Sequence, residues 1–84
     1  MWFLQREAWN GDQERLLDGF TLTKTQGDLT MTATCEVWTH RFGWELRLMV
    51  EGHGLQMSSV ARSVAEKLKT LEMWYAAMRD NGWR

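Results

Sequence analysis

The side chains in this chain of 84 residues that could do chemistry are few. There is one thiol, Cys35, and there are two imidazoles, His40 and His53. Among the carboxylates, Glu36, Glu45 and Glu51 fall within one alternating stretch. A thiol works as a nucleophile or metal ligand when a cationic neighbour, a metal or a helix N-terminus stabilises its thiolate. Strict alternation sets Cys35 on the apolar side of its segment, opposite Leu48, where a thiol behaves as a small hydrophobe. A zinc site needs three or four closely placed soft or imidazole ligands. His40 and His53 sit at different turns, with no Cys-x-x-Cys or His-x-x-x-His spacing to gather a third ligand. Acid–base catalysis needs a desolvated cleft with tuned carboxylates. The three glutamates instead face the polar side of a sheet with Arg47 among them, as solvated cross-strand charges do. No glycine-rich phosphate loop and no Gly-x-Ser-x-Gly occurs. The expectation is a non-enzymatic chain with no cofactor and no metal.

Trp38 is the residue that calls for a role. It stands on the outer, threonine-rich face with His40, Arg47 and Met49 in reach, and Trp, Met and Arg are the residue types enriched in interface cores. Trp2 and Trp9, in an apolar N-terminal segment, have no assigned place. Two expectations follow. Either Trp38, His40, Arg47 and Met49 with Trp2 and Trp9 form an interaction surface, possible in a homodimer, or the N-terminal segment folds over Trp38 within one chain. Stacking of single-stranded nucleic acid on the same face is a third option, opposed by Glu36, Glu45 and Glu51, which repel phosphate. A ligand or enzyme subunit completed only in an oligomer is the fourth.

Composition narrows the class. One domain of 1–84 is all that this length permits, and domains this small commonly draw on a disulfide, a metal or a partner subunit. With Cys35 as the single cysteine, an internal disulfide is excluded, and a reducing, cytoplasmic setting is expected. Six tryptophans and the absence of proline argue against disorder. The net charge of −1 supplies no basic field for nucleic acid or an anionic membrane. Met1 to Leu4 is too short an apolar run for a signal-peptide core or a membrane span.

The elements that must position these residues can be read from period and turn chemistry. From Leu29 to His40, apolar and polar residues alternate, and Trp44, Leu46, Leu48 and Val50 repeat the pattern against Glu45, Arg47, Met49 and Glu51. A tight turn over Arg41-Phe42 pairs Val37 with Leu46, Cys35 with Leu48 and Ala33 with Val50. It also pairs Glu36 with Arg47 and sets Trp38 beside Glu45; a slip of one residue would put both apolar sets on the wrong face. Phe20–Thr25 forms a preceding strand whose Gly27-Asp28 turn sets Leu22 opposite Ala33 and Phe20 opposite Cys35. Gly52-His53-Gly54 turns the chain into an edge strand over Leu55–Ser58.

Ser63-Val64-Ala65-Glu66 fits a capping box, so the helix is expected from Ser63, with a start at Ser58 or Ser59 as the alternative. Val64, Leu68, Leu71, Tyr75 and Met78, widened by Trp74, mark its apolar stripe. Asn81-Gly82 ends it in a left-handed cap that brings Trp83 to Met78. The expected architecture is α+β: an antiparallel meander of three to four strands over 20–62, packed on one amphipathic helix over 63–82. Segment 1–19 stays open between a helical turn and an extension of the first strand.

Three runs, Cys35-Glu36-Val37-Trp38-Thr39-His40, Gly43-Trp44-Glu45-Leu46-Arg47-Leu48 and Trp74…Ala77-Met78…Gly82-Trp83, resemble short uncharacterised bacterial or phage proteins over the C-terminal two-thirds of the chain. The resemblance implies a bacterial or phage small-domain origin and carries over no functional residue.

Overall fold

The computed structural model describes residues 13–84. Four strands, β1 (Arg15–Gln26), β2 (Leu29–His40), β3 (Gly43–Val50) and β4 (Gly54–Ala61), precede one helix, α1 (Val64–Asp80). The strands form an antiparallel sheet in the order β1-β2-β3-β4, and the helix packs on one face of it. The fold is therefore the α+β meander expected from the alternating pattern.

The central hairpin adopts the register that face-matching demands. Val37 stands opposite Leu46, Cys35 opposite Leu48, Ala33 opposite Val50 and Trp38 opposite Glu45. Phe20 and Leu22 meet Cys35 and Ala33 in the same way. These inward positions make the core: Leu22, Ala33, Cys35, Val37, Leu46, Leu48 and Ala61 are buried. Leu16, Trp44, Leu71 and Trp74 close over Val37, Leu46 and Ala61.

Two strands run further than their patterns show. β1 begins at Arg15 rather than Phe20, so 15–19 belong to the sheet. Its alternation is broken there because Leu17, Asp18 and Gly19 all stand opposite Glu36, between the pairs Leu16–Val37 and Phe20–Cys35. Such a bulge bends the strand and scrambles the period of two. Leu17 is turned fully into solvent as a result. Gly19 is required by close approach, since a Cβ there would lie 1.9 Å from the Cys35 carbonyl oxygen. β4 reaches Ala61, and a second irregularity leaves Gln56 as the extra residue between the pairs Leu48–Met57 and Met49–Leu55.

The helix starts at the capping box. Ser63 Oγ accepts the Glu66 N–H at 3.1 Å, and the Glu66 carboxylate reaches back to the Arg62 N–H at 2.8 Å, one residue before the cap. It ends in a Schellman arrangement: the Trp83 N–H donates to the Met78 carbonyl and the Gly82 N–H to the Arg79 carbonyl, with Gly82 at φ 93°.

The buried face of α1 corrects the expected stripe. Val64, Leu68 and Tyr75 are 53%, 55% and 40% exposed, whereas Lys67 is buried and Leu71, Trp74 and Met78 are half-buried. The helix is thus turned so that positions 67, 71, 74 and 78 meet the sheet. The reason is polar as well as apolar. Lys67 Nζ bonds to the Asp18 carboxylate and lies 5.1 Å from the Trp44 ring centroid, so its stem covers core while its charge stays paired. From there the helix and the tail after it are tied to β1: Tyr75 meets Phe20 edge-to-face at 5.4 Å, and in the tail the Arg84 N–H donates to the Thr23 carbonyl.

These placements set the mutational pattern. Leu46→Asp buries an unpaired charge at the centre of the core and is expected to abolish folding. Leu71→Ala is expected to cost about 2–3 kcal/mol and Leu68→Ala about 0.5 kcal/mol or less by denaturant unfolding. Equal losses at positions 68 and 71 would contradict the orientation of the helix.

Candidate protein-contact surface

The sheet face turned away from α1 carries most of the residues singled out from the sequence. Trp38 and Arg47 are brought together: the guanidinium carbon lies 4.7 Å from the indole centroid. The Trp38 Nε1–H donates to Glu36 Oε1 at 2.9 Å, and Arg15 Nη1 lies 3.5 Å from the other oxygen of that carboxylate. On the opposite flank, Arg47 Nη2 bonds to Glu45 Oε1 at 3.0 Å. Gln13 closes a ring by donating to Glu45 at 2.9 Å and accepting from Arg47 at 3.3 Å.

Glu36 and Arg47 are register partners as expected. Their charges are nevertheless satisfied elsewhere, Glu36 by Arg15 and Arg47 by Glu45 two residues along its own strand. The bulge-extended β1 explains the change, because it carries Arg15 opposite Trp38 and within reach of Glu36. Trp38 is half-buried, with Arg47 and Glu36 against its ring.

Electrostatics follow from this ring. Burial by itself would raise the Glu45 carboxyl, but the hydrogen bonds from Arg47 and Gln13, with the charges of Arg47 and His40, outweigh it and hold the group below its ordinary value. Two carboxylates and two guanidiniums cancel, so the patch has order without net charge.

The other expected surface residues are more dispersed. Met49, opposite Thr34 and half-buried, borders a shallow depression with Thr32, Glu36 and Glu51. His40 belongs to the β2–β3 turn, where its Nδ1 accepts the Phe42 N–H at 3.1 Å and its ring lies 5.6 Å from Phe42. Trp2 and Trp9 lie outside the described residues, as does the question of what the N-terminal segment covers.

Two features were missed by sequence reasoning. Phe42, 55% exposed at the turn, has Arg41 at 5.3 Å and Arg62 at 5.6 Å from its ring centroid. Arg62 comes from the β4–α1 link, so only the three-dimensional fold joins it to Arg41. The second is β4 itself, where Leu55, Met57 and Val60 are all more than 40% exposed. Its signal was available: Gly54–Ala61 contains no ionisable residue, unlike every other strand.

Cys35 is 1% exposed, and burial first, with the Glu36 charge second, pushes its thiol up to about 11. At neutral pH the thiolate needed for nucleophilic attack is therefore scarce. Among the described residues, no group of three or more His, Cys, Asp or Glu gathers to hold a metal ion, and no helix is long and apolar enough to cross a membrane. No family model, curated relative or solved structure matches this chain.

A carboxylate held low by its partners adds stability above its ordinary pKa and loses that contribution as pH falls through the native value. Glu45→Gln is therefore expected to cost about 1 kcal/mol near neutral pH. The gap to wild type should close in acid, once Glu45 itself is protonated. Urea unfolding across this range checks it; a gap independent of pH would contradict the ring.

Proposed function

We propose that this chain is a small protein-contact domain, without a reaction of its own, that associates with itself and offers its outer sheet face to a protein partner. The single observation that carries this reading is a mismatch of burial. Ten large apolar side chains of the described residues are at least 40% exposed, against seven buried hydrophobic residues in the core. A domain with so little core gains most by covering apolar surface with another chain, and a two-fold dimer is the commonest solution.

The outer face supports the partner side of this reading. A tryptophan and an arginine held in a stack by Glu36, Glu45, Arg15 and Gln13 have little conformational freedom left to lose on binding. Met49 extends the patch. A buried core thiol at Cys35 accords with a reducing, cytoplasmic setting.

Single-stranded nucleic acid is the second reading, and one feature favours it: Arg41 and Arg62 flank the exposed Phe42 ring, as cations flank a stacked base. Against it, Arg15 and Arg47 on the broad face already serve Glu36 and Glu45.

Sedimentation velocity from micromolar to near-millimolar protein tests the first reading. A mass rising with concentration towards two chains is expected, and a single-chain mass throughout would overturn it. Titration of a labelled oligothymidine, followed by anisotropy at two salt concentrations, is expected to give no saturable binding. Salt-sensitive saturation would transfer the assignment to nucleic acid.

A further inference from the structure

The two edges of the sheet differ in how they are guarded. Open strand edges present unpaired N–H and C=O groups, and proteins usually blunt them with charges, proline, bulges or covering segments. β1 has several such devices. Arg15, Asp18 and Lys24 place charges along it, the Leu17–Gly19 bulge interrupts its ladder, and the Arg84 N–H takes up the Thr23 carbonyl.

β4 has almost none. Its eight residues, Gly-Leu-Gln-Met-Ser-Ser-Val-Ala, include no charge and no proline. Its one irregularity, at Gln56, lies near the strand's start and leaves the run from Met57 to Ala61 regular. Among the described residues, no hydrogen bond outside the β3 ladder reaches the backbone of Leu55 to Val60. The helix covers only its Ala61 end. α1 packs Leu71 and Trp74 over Ala61, Val37 and Leu46 and sends Lys67 and Tyr75 to Asp18 and Phe20 of β1, while Met57 stays 43% and Leu55 54% exposed.

We infer that β4 is a homotypic pairing edge, which joins antiparallel to β4 of a second copy about a two-fold axis and continues the sheet from four strands to eight. This rests on the reading of the chain as a self-associating domain and names the surface that does it.

The second copy is the occupant that the charges select. About a two-fold axis each residue meets its own kind, so any ionisable group near the axis would face a like charge. β4 alone among the strands has nothing to repel its copy, and the chain's net charge of −1 adds little at long range. Side chains agree on both faces. Met57, opposite the buried Leu48, lies on the helix side, and Val60, opposite Glu45, lies on the outer side. Pairing therefore brings apolar neighbours above and below the new ladder. A ladder of this length buries less than a standard interface, so the dimer is expected to be weak and concentration-dependent.

Ser58→Lys tests the inference, because Ser58 is exposed near the middle of β4 and a lysine there meets its own copy across the axis. Sedimentation velocity on the folded variant is expected to show self-association weakened by at least about tenfold. In the wild type, amide hydrogen exchange resolved by NMR is expected to slow at alternate β4 positions as concentration rises. Unchanged association of Ser58→Lys, or β4 amides indifferent to concentration while the wild type dimerises, would overturn the edge assignment and leave the self-association reading standing. Dissociation by Trp38→Ala but not by Ser58→Lys would move the interface to the outer face. A wild type that stays monomeric defeats both. Should Ser58→Lys fail to fold, the wild-type exchange pattern decides by itself.

Discussion

A helix of 17 residues is about 25 Å long and, with side chains, about 10 Å across, whereas four strands about 4.8 Å apart span about 14 Å between their outer axes. One helix on one face therefore cannot shield the whole sheet. The Lys67–Asp18 pair decides where the shortfall falls. By anchoring the first turns of α1 to the bulged part of β1, it turns Leu71 and Trp74 onto Val37 and Leu46. Val64, Leu68 and the first half of β4 are left in solvent. Lys67 is buried but the Asp18 side chain is 41% exposed, so solvent screens the pair and its worth lies in fixing one orientation of the helix more than in raw stability.

The meander was legible because pairing is a two-sided constraint. Val37 against Leu46 and Cys35 against Leu48 satisfy the core only in one register, and a slip of one residue reverses every side chain. The capping box at Ser63 and the glycine cap at Gly82 were equally legible, since each satisfies named backbone groups within a few residues. The face of the helix was harder to read. Leu68 and Tyr75 look like core by spacing, but a lysine whose charge is met by a residue forty-nine positions earlier is invisible to periodicity. Leu17 to Gly19 hid β1 for a related reason: the bulge cancels the alternation by which a strand is recognised.

The outer face surrounds Trp38 with partners that its own strand does not supply. Trp38 was expected either on an interaction surface or beneath the N-terminal segment. It lies within a neutral ring of Arg15, Glu36, Arg47, Glu45 and Gln13, to which the extended β1 contributes Arg15 and the residues just before it contribute Gln13. That ring is ordered and electrically balanced, properties suited to a patch that recognises shape and placed hydrogen bonds, and poorly suited to gripping phosphate. The unguarded surface lies elsewhere, on a strand whose lack of charge is its distinguishing feature.

The central claim is that this sheet, half covered by its helix, is completed by another copy of the chain. Equilibrium unfolding in urea at protein concentrations spread over two or more decades tests it most directly, because anything that binds only the folded state raises stability by mass action. The account predicts an unfolding midpoint that climbs with protein concentration while the circular dichroism spectrum of the folded state stays the same. A midpoint independent of concentration would mean that the single chain is sufficient as it stands, and would contradict the claim.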